Sequence, residues 1–261
     1  MYISYEKKFV NIANPRTASV AAISAIKRPG VWSSTDVYSG LSSQDGNSFY
    51  YSKNWDQRDR PLAQLISDCG LPGLVESAKD STMKFYASGE LSEDTTRDIL
   101  CHHLTPTHLV KLGLLTEAQI AEFNIWGFVR EPLERWVSAQ FLIRKLAKND
   151  SDALAHLVDL VRSKEHEKHH PIVAPFQKDY FYYEGELVSN VYPYEQTQTV
   201  ISDFIEAHTS TRPKSIPYKG MLRAVPDTFK APIEEWFPAD CIAILQDFYA
   251  DDIAFYNSIA G

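Results

Sequence analysis

The segment that most constrains this chain is Asn124-Ile125-Trp126-Gly127-Phe128-Val129, followed at once by Arg130-Glu131-Pro132. The run is apolar without alternation, the pattern of a strand covered on both faces, as in parallel sheets. Pro132 fits the first turn of a helix and not its interior. Behind it Leu133, Trp136, Val137 and Phe141 fall on one helical face. A buried strand running straight into a helix is the repeating unit of an α/β sheet, because parallel strands need crossovers.

The rest of the pattern agrees with that class. Residues 8–13 form a short apolar run bounded by Asn14-Pro15, and a helical period with Val20, Ile23 and Ile26 follows before Pro29-Gly30 stops it. Residues 33–60 are rich in Ser, Asp, Asn, Gly and Tyr and read as a long irregular, lid-like segment. Short helices are expected at 61–69 and 73–80, and strands at 83–87 and 97–101. Thr105-Pro106 opens a further helix, and Thr116-Glu117-Ala118-Gln119 is a capping-box pattern for the next. A helix is expected over 152–164, a hairpin over 181–191 turning at Glu184-Gly185, and amphipathic helices over 197–208 and 239–256. The expectation is one α/β domain over residues 1–261, with a central, mainly parallel sheet flanked by helices.

Composition limits the function. Of the 261 residues, 44% are hydrophobic and 23% charged, which is globular usage. The formal net charge of −8 argues against a general binder of nucleic acid or anionic membrane. An anionic ligand must therefore be held by a local positive site. Cys69, Cys101 and Cys241 are sparse and far apart, which fits a reducing compartment better than a disulfide framework. No apolar core of signal-peptide length lies near the first residues, and no window reaches the length of a membrane span. A soluble, cytoplasmic protein with no membrane partner is expected.

Two strand-to-helix turns look built for anions. The first is Asn14-Pro15-Arg16-Thr17-Ala18-Ser19, where unpaired N–H groups and the positive helix end favour a phosphate. Arg16 adds a fork of donors, and Thr17 and Ser19 add hydroxyls. The second carries Arg130 at the carboxyl end of its strand, the edge where open α/β sheets bind ligands. Arg130 stands before a helix, where the dipole disfavours a cation unless an anion is present. Ser138, two turns along, could face the same side. Arg135 is accounted for by an i,i+4 pair with Glu131.

Together, Pro15-Arg16-Thr17-Ala18-Ser19 and Phe128-Val129-Arg130-Glu131-Pro132-Leu133-Glu134-Arg135-Trp136-Val137-Ser138 resemble the sulfotransferase superfamily, and more closely its carbohydrate-type branch. Weaker similarities lie at His103-Leu104-Thr105-Pro106 with Leu112-Gly113, at Tyr194-Glu195, and from Phe248 to Tyr256, whereas 33–60 and 165–180 have no clear counterpart. The resemblance implies a P-loop-like domain that binds 3′-phosphoadenosine 5′-phosphosulfate, with Arg16, Thr17, Ala18 and Ser19 on the 5′-phosphosulfate and Arg130 and Ser138 on the 3′-phosphate. It implies transfer of the sulfuryl group to a hydroxyl, on a saccharide in this branch, and release of adenosine 3′,5′-bisphosphate. Arg16 stands where the family usually has Lys, and Glu131 where it has Asn or Asp.

Such chemistry needs in-line positioning, charge neutralisation on the leaving phosphate, and a base for the acceptor hydroxyl. His103 is the first candidate base, His102 the second and Glu195 a third, while His108 reads as structural. No metal is required. A rival lies in His166-Glu167-Lys168-His169-His170, which satisfies the zinc-hydrolase pattern His-Glu-x-x-His, although Pro171 ends any helix there. A non-catalytic nucleotide-binding module is the other alternative, since it would keep Arg130 and Ser138 without the base.

Overall fold

The computed structural model describes residues 1–14, 17, 19–26, 30–31, 37–38, 104–111, 113–143, 150–167, 176–216, 229 and 231–261. They form an α/β fold around a five-stranded mixed sheet of order β3-β1-β2-β4-β7. These strands are β1 (Tyr2–Ser4), β2 (Phe9–Asn11), β3 (Val37–Tyr38), β4 (Asn124–Val129) and β7 (Asn190–Pro193); β5 (Tyr182–Tyr183) and β6 (Glu186–Leu187) make a separate hairpin. The helices are α1 (Ser19–Ile26), α2 (Pro106–Lys111), α3 (Glu117–Glu122), α4 (Pro132–Ile143), α5 (Asp150–Arg162), α6 (Thr197–Thr209), α7 (Ala239–Phe248) and α8 (Ala250–Ala260).

Among the described residues the sheet is mixed, with as many antiparallel as parallel pairings. β2, β4 and β7 run parallel, with Val10 opposite Ile125 and Val129 opposite Pro193, but β1 lies antiparallel to both β2 and β3. The cause is the short connection at 5–8: four residues can close a hairpin but cannot carry a crossover. Lys8 takes a positive φ of 53° there, and its carbonyl accepts from Asn124 N at 2.9 Å. Val37 and Tyr38, expected in an irregular segment, form the edge strand β3. The other residues of 33–60, and the elements expected at 61–69, 73–80, 83–87 and 97–101, lie outside the described residues.

Alternation along the strands divides the core in two. Tyr2, Phe9, Trp126 and Phe128 pack under Ala22, Ala25 and Ile26 of α1 and Ile201 and Ile205 of α6. On the other face Ile3, Val10, Ile12, Ile125 and Val129 meet Leu109, Ile120, Tyr180, Phe181 and Phe255. A third cluster joins Leu133, Trp136, Val137 and Phe141 of α4 to Leu157 and Leu160 of α5 and Leu245 of α7. Gly127 lets Phe181 lie directly against β4: a Cβ there would stand 2.7 Å from the ring and 3.1 Å from Ile12 O.

Local signals correspond to the boundaries. Thr116 Oγ1 accepts from Gln119 N at 3.2 Å while Gln119 Oε1 accepts from Thr116 N at 2.8 Å, a complete capping box. Glu184 and Gly185 turn the hairpin with φ of 50° and 87°, the left-handed pair that a two-residue turn of this twist requires. The single helix expected over 239–256 is two, α7 and α8, meeting at Tyr249. Cys241 is a buried free thiol, and among the described residues no helix is long and apolar enough to cross a membrane.

Candidate functional site

Because β2, β4 and β7 are parallel, the chain leaves all three at one edge of the sheet. Asn14, Arg130 and Tyr194 emerge there just beyond Asn11, Val129 and Pro193. Asn14 ties the first turn to the second: its Nδ2 donates to Phe128 O at 2.9 Å. Thr17, buried, donates its hydroxyl proton to Asn14 O at 2.8 Å. Thr17 thus braces the loop from within. Ser19 is the first residue of α1, as expected of a residue at the helix start. Arg16, Ala18, His102 and His103 lie outside the described residues.

Arg130 is held from two sides. Val129 pairs with Pro193, so the residues that follow each are neighbours, and the guanidinium carbon sits 5.1 Å from the centre of the Tyr194 ring. Its Nε and Nη2 both donate to Glu134 Oε2, at 3.2 and 3.1 Å. The sequence reading gave the i,i+4 pair of this helix to Glu131 and Arg135. An ion pair stands one residue earlier, between Arg130 and Glu134. Glu131 instead caps α4, its Oε2 accepting from Glu134 N at 2.7 Å, which is the task Asn or Asp performs at such a position. Burial raises the Glu131 carboxyl above its ordinary pKa, against the opposing pull of the Glu134 and Leu133 N–H groups.

Arg135 is buried at 1% exposure, not solvated. Ser138 shares its helix and is also buried, at 3%. The same helix packs its apolar face, Leu133, Trp136, Val137 and Phe141, against α5 and α7.

Glu195 is exposed beside Tyr194 and accepts from Tyr256 OH at 3.4 Å. Burial, then the charges of Glu195, Glu131 and Glu134, push the Tyr256 hydroxyl up to about 12. At neutral pH that hydroxyl stays protonated and donates to Glu195. Of the three candidate bases, Glu195 is the one within the described residues. His108 has the structural place expected of it: its Nδ1 accepts from Thr105 N at 3.2 Å, and its own N–H donates to Thr105 Oγ1 at 3.3 Å.

Behind this edge lies a network that the sequence reading missed. Gln177 and Asp252 are both fully buried. Asp252 Oδ1 accepts from Gln177 N at 2.6 Å and from Lys178 N at 3.1 Å, and its Oδ2 from Gln177 Nε2 at 3.2 Å. Burial raises the Asp252 carboxyl, with the Arg135 charge the strongest influence the other way. Asp252 had a readable signal: it stands three residues after Tyr249 and three before Phe255, a carboxylate on the apolar stripe of a helix. Gln177 had none, being a lone polar residue in an unpatterned stretch.

The rival zinc motif is not on a helix over the described residues. α5 ends at Arg162, and His166 and Glu167 lie in a single 3-10 turn, Glu165–Glu167. His166 is buried edge-on against Phe248, its Nε2 without a hydrogen-bond partner among the described residues, and His170 lies outside them. Among the described residues no three His, Cys, Asp or Glu side chains are grouped to hold a metal ion.

The chain matches no family model, no curated protein and no solved structure.

Among the described residues the site offers the oriented Arg130 guanidinium, the exposed Glu195 carboxylate and Asn14 bonded to the strand before Arg130, at the edge where α/β sheets bind ligands.

Proposed function

We propose that this chain is a sulfotransferase with a P-loop-like fold, moving a sulfuryl group from 3′-phosphoadenosine 5′-phosphosulfate to a hydroxyl, on a saccharide by the resemblance of its second turn. The observation that carries the reading is the bond from Asn14 Nδ2 to Phe128 O, which holds the loop after β2 beside the strand that ends in Arg130. A single nucleotide with phosphates at both ends requires two such turns within its own length. In the proposed reaction Arg130 takes the 3′-phosphate, with Ser138 behind it, and Arg16, Thr17, Ala18 and Ser19 take the 5′-phosphosulfate. The acceptor oxygen forms its bond to sulfur in line with the breaking bond to the phosphate oxygen, which leaves with the electron pair. The hydroxyl proton passes to His103, with His102 and Glu195 as alternates.

The test is a thermal-shift comparison of adenosine 3′,5′-bisphosphate, ATP and zinc. Selective stabilisation by the bisphosphate is expected, and a ligand at a hundred times its Kd adds about 2.7 kcal/mol. The Arg130→Ala variant should bind the bisphosphate about 2 kcal/mol or more weakly. A shift with ATP alone or zinc alone would refute the reading.

A further inference from the structure

Gln177 spends its entire amide on the two turns and the helix behind them. Its Oε1 accepts from Arg130 N at 2.9 Å and from Asn14 Nδ2 at 3.2 Å. Its Nε2 donates to Arg130 O at 2.7 Å and to Asp252 Oδ2 at 3.2 Å. A primary amide has two donor hydrogens and two acceptor lone pairs, so its capacity is full. The orientation is fixed as well. Reversing the amide would set Oε1 against the Asp252 carboxylate and Nε2 against the Arg130 N–H. Asp252 in turn is anchored by the backbone of Gln177 and Lys178. Around a buried amide and carboxylate such bonds are strong when complete and costly when broken.

The Arg130 peptide is therefore gripped at both its N–H and its C=O by one side chain, which also holds the residue that opens the other turn. We propose that Gln177 is the positioning residue of this site, setting the spacing between the loop after β2 and Arg130. Asp252 holds the Gln177 amide in the working orientation. The inference rests on the nucleotide reading above.

The experiment is calorimetric titration with adenosine 3′,5′-bisphosphate of the wild type, Gln177→Met, and Val161→Ala, a core truncation on α5 away from this edge. Gln177→Met keeps the volume and removes all four amide hydrogen bonds. It should weaken binding about tenfold or more, the scale at which partners behind a binding group act, while Val161→Ala leaves affinity unchanged. A second pair guards against a variant that does not fold. Gln177→Glu faces Asp252 with a second carboxylate and should lose affinity; adding Asp252→Asn supplies a donor and should restore part of it. Wild-type affinity in Gln177→Met, an equal loss in Val161→Ala, or no rescue by the Glu/Asn pair overturns the inference. Absence of binding by the wild type removes the nucleotide reading and this inference together. Wild-type binding with unchanged affinity in Gln177→Met removes this inference alone.

Discussion

Gly127→Ala tests how β4 is held, and with it the placement of Arg130. The added Cβ would lie 2.7 Å from Phe181 Cε1, 3.2 Å from its Cζ and 3.1 Å from Ile12 O. Unstrained carbon contacts fall at about 3.5–4.0 Å, so the ring must retreat by roughly 1 Å. Little room exists behind it, because Phe181 is fully buried and stacks near Phe255 at 6.2 Å between ring centres. Ile12 O belongs to the backbone after β2 and cannot swing aside. Overpacking of this kind costs about 1–3 kcal/mol. Exchanging Gly for Ala in a strand returns about 0.5–1 kcal/mol through the unfolded chain. The net expectation is a loss of about 1 kcal/mol, and at most about 2.5, read as a lowered urea midpoint with unchanged slope by circular dichroism. Adding Phe181→Leu should recover part of that loss, since it removes the atoms in conflict. A Gly127→Ala protein as stable as the wild type, or a double variant whose losses simply add, would refute the close packing of Phe181 on β4.

Two further perturbations address the charges. Glu134→Gln releases the Arg130 guanidinium; exposed i,i+4 pairs are worth about 0.3–0.5 kcal/mol, so the bisphosphate should bind about twofold tighter, more at low salt, and weaker binding in calorimetry would count against Glu134 as a competitor. Asp252→Asn tests pH dependence: burial raises the folded pKa above the unfolded one, so the stability from this group is complete below the unfolded value and falls as pH rises through the folded one. Urea titrations from about pH 4 to about pH 7 should therefore show the gap between wild type and variant narrowing as pH rises, and a widening gap would contradict the raised pKa.

How much of this was legible follows from the range of each interaction. β4 and α4 could be read because an apolar run, a proline and a helical stripe lie within twenty residues of one another. The capping box at Thr116 and the turn at Glu184 and Gly185 are local for the same reason. β1, only three residues long, is too short to show a period, so its antiparallel pairing with β2 was not legible. The break at Tyr249 carries neither Pro nor Gly, so nothing in the sequence divides α7 from α8. Arg135 was read as the i,i+4 partner of Glu131 because the spacing is right for one; its burial, within electrostatic reach of Tyr180, Tyr249 and Asp252, depends on distant residues that no local window contains. Gln177 meets Arg130 across 47 positions and Asp252 across 75, and a lone polar residue leaves no trace of such partners.

These long-range contacts also decide what kind of anion site the edge can be. The chain is acidic overall, and at this edge Glu131, Glu134 and Glu195 stand close enough to one another to act together on Tyr256. The N-terminus of α4 is partly spent, since Glu131 takes the Glu134 N–H that a phosphate would otherwise use. Arg135 is buried and acts on Asp252. On the proposed reading, binding through Arg130 would be an exchange, in which an incoming oxygen replaces Glu134 at Nε and Nη2 while the Tyr194 ring stays against the guanidinium. An exchange of one singly charged group for another gains little. A phosphomonoester carrying close to two charges gains more, because the same hydrogen bonds are kept and the Coulomb attraction rises. On the proposed reading, this edge would favour the terminal 3′-phosphate of the nucleotide over carboxylates and sulfate esters, and the preference would come from Glu134 as a built-in competitor and not from an excess of positive charge.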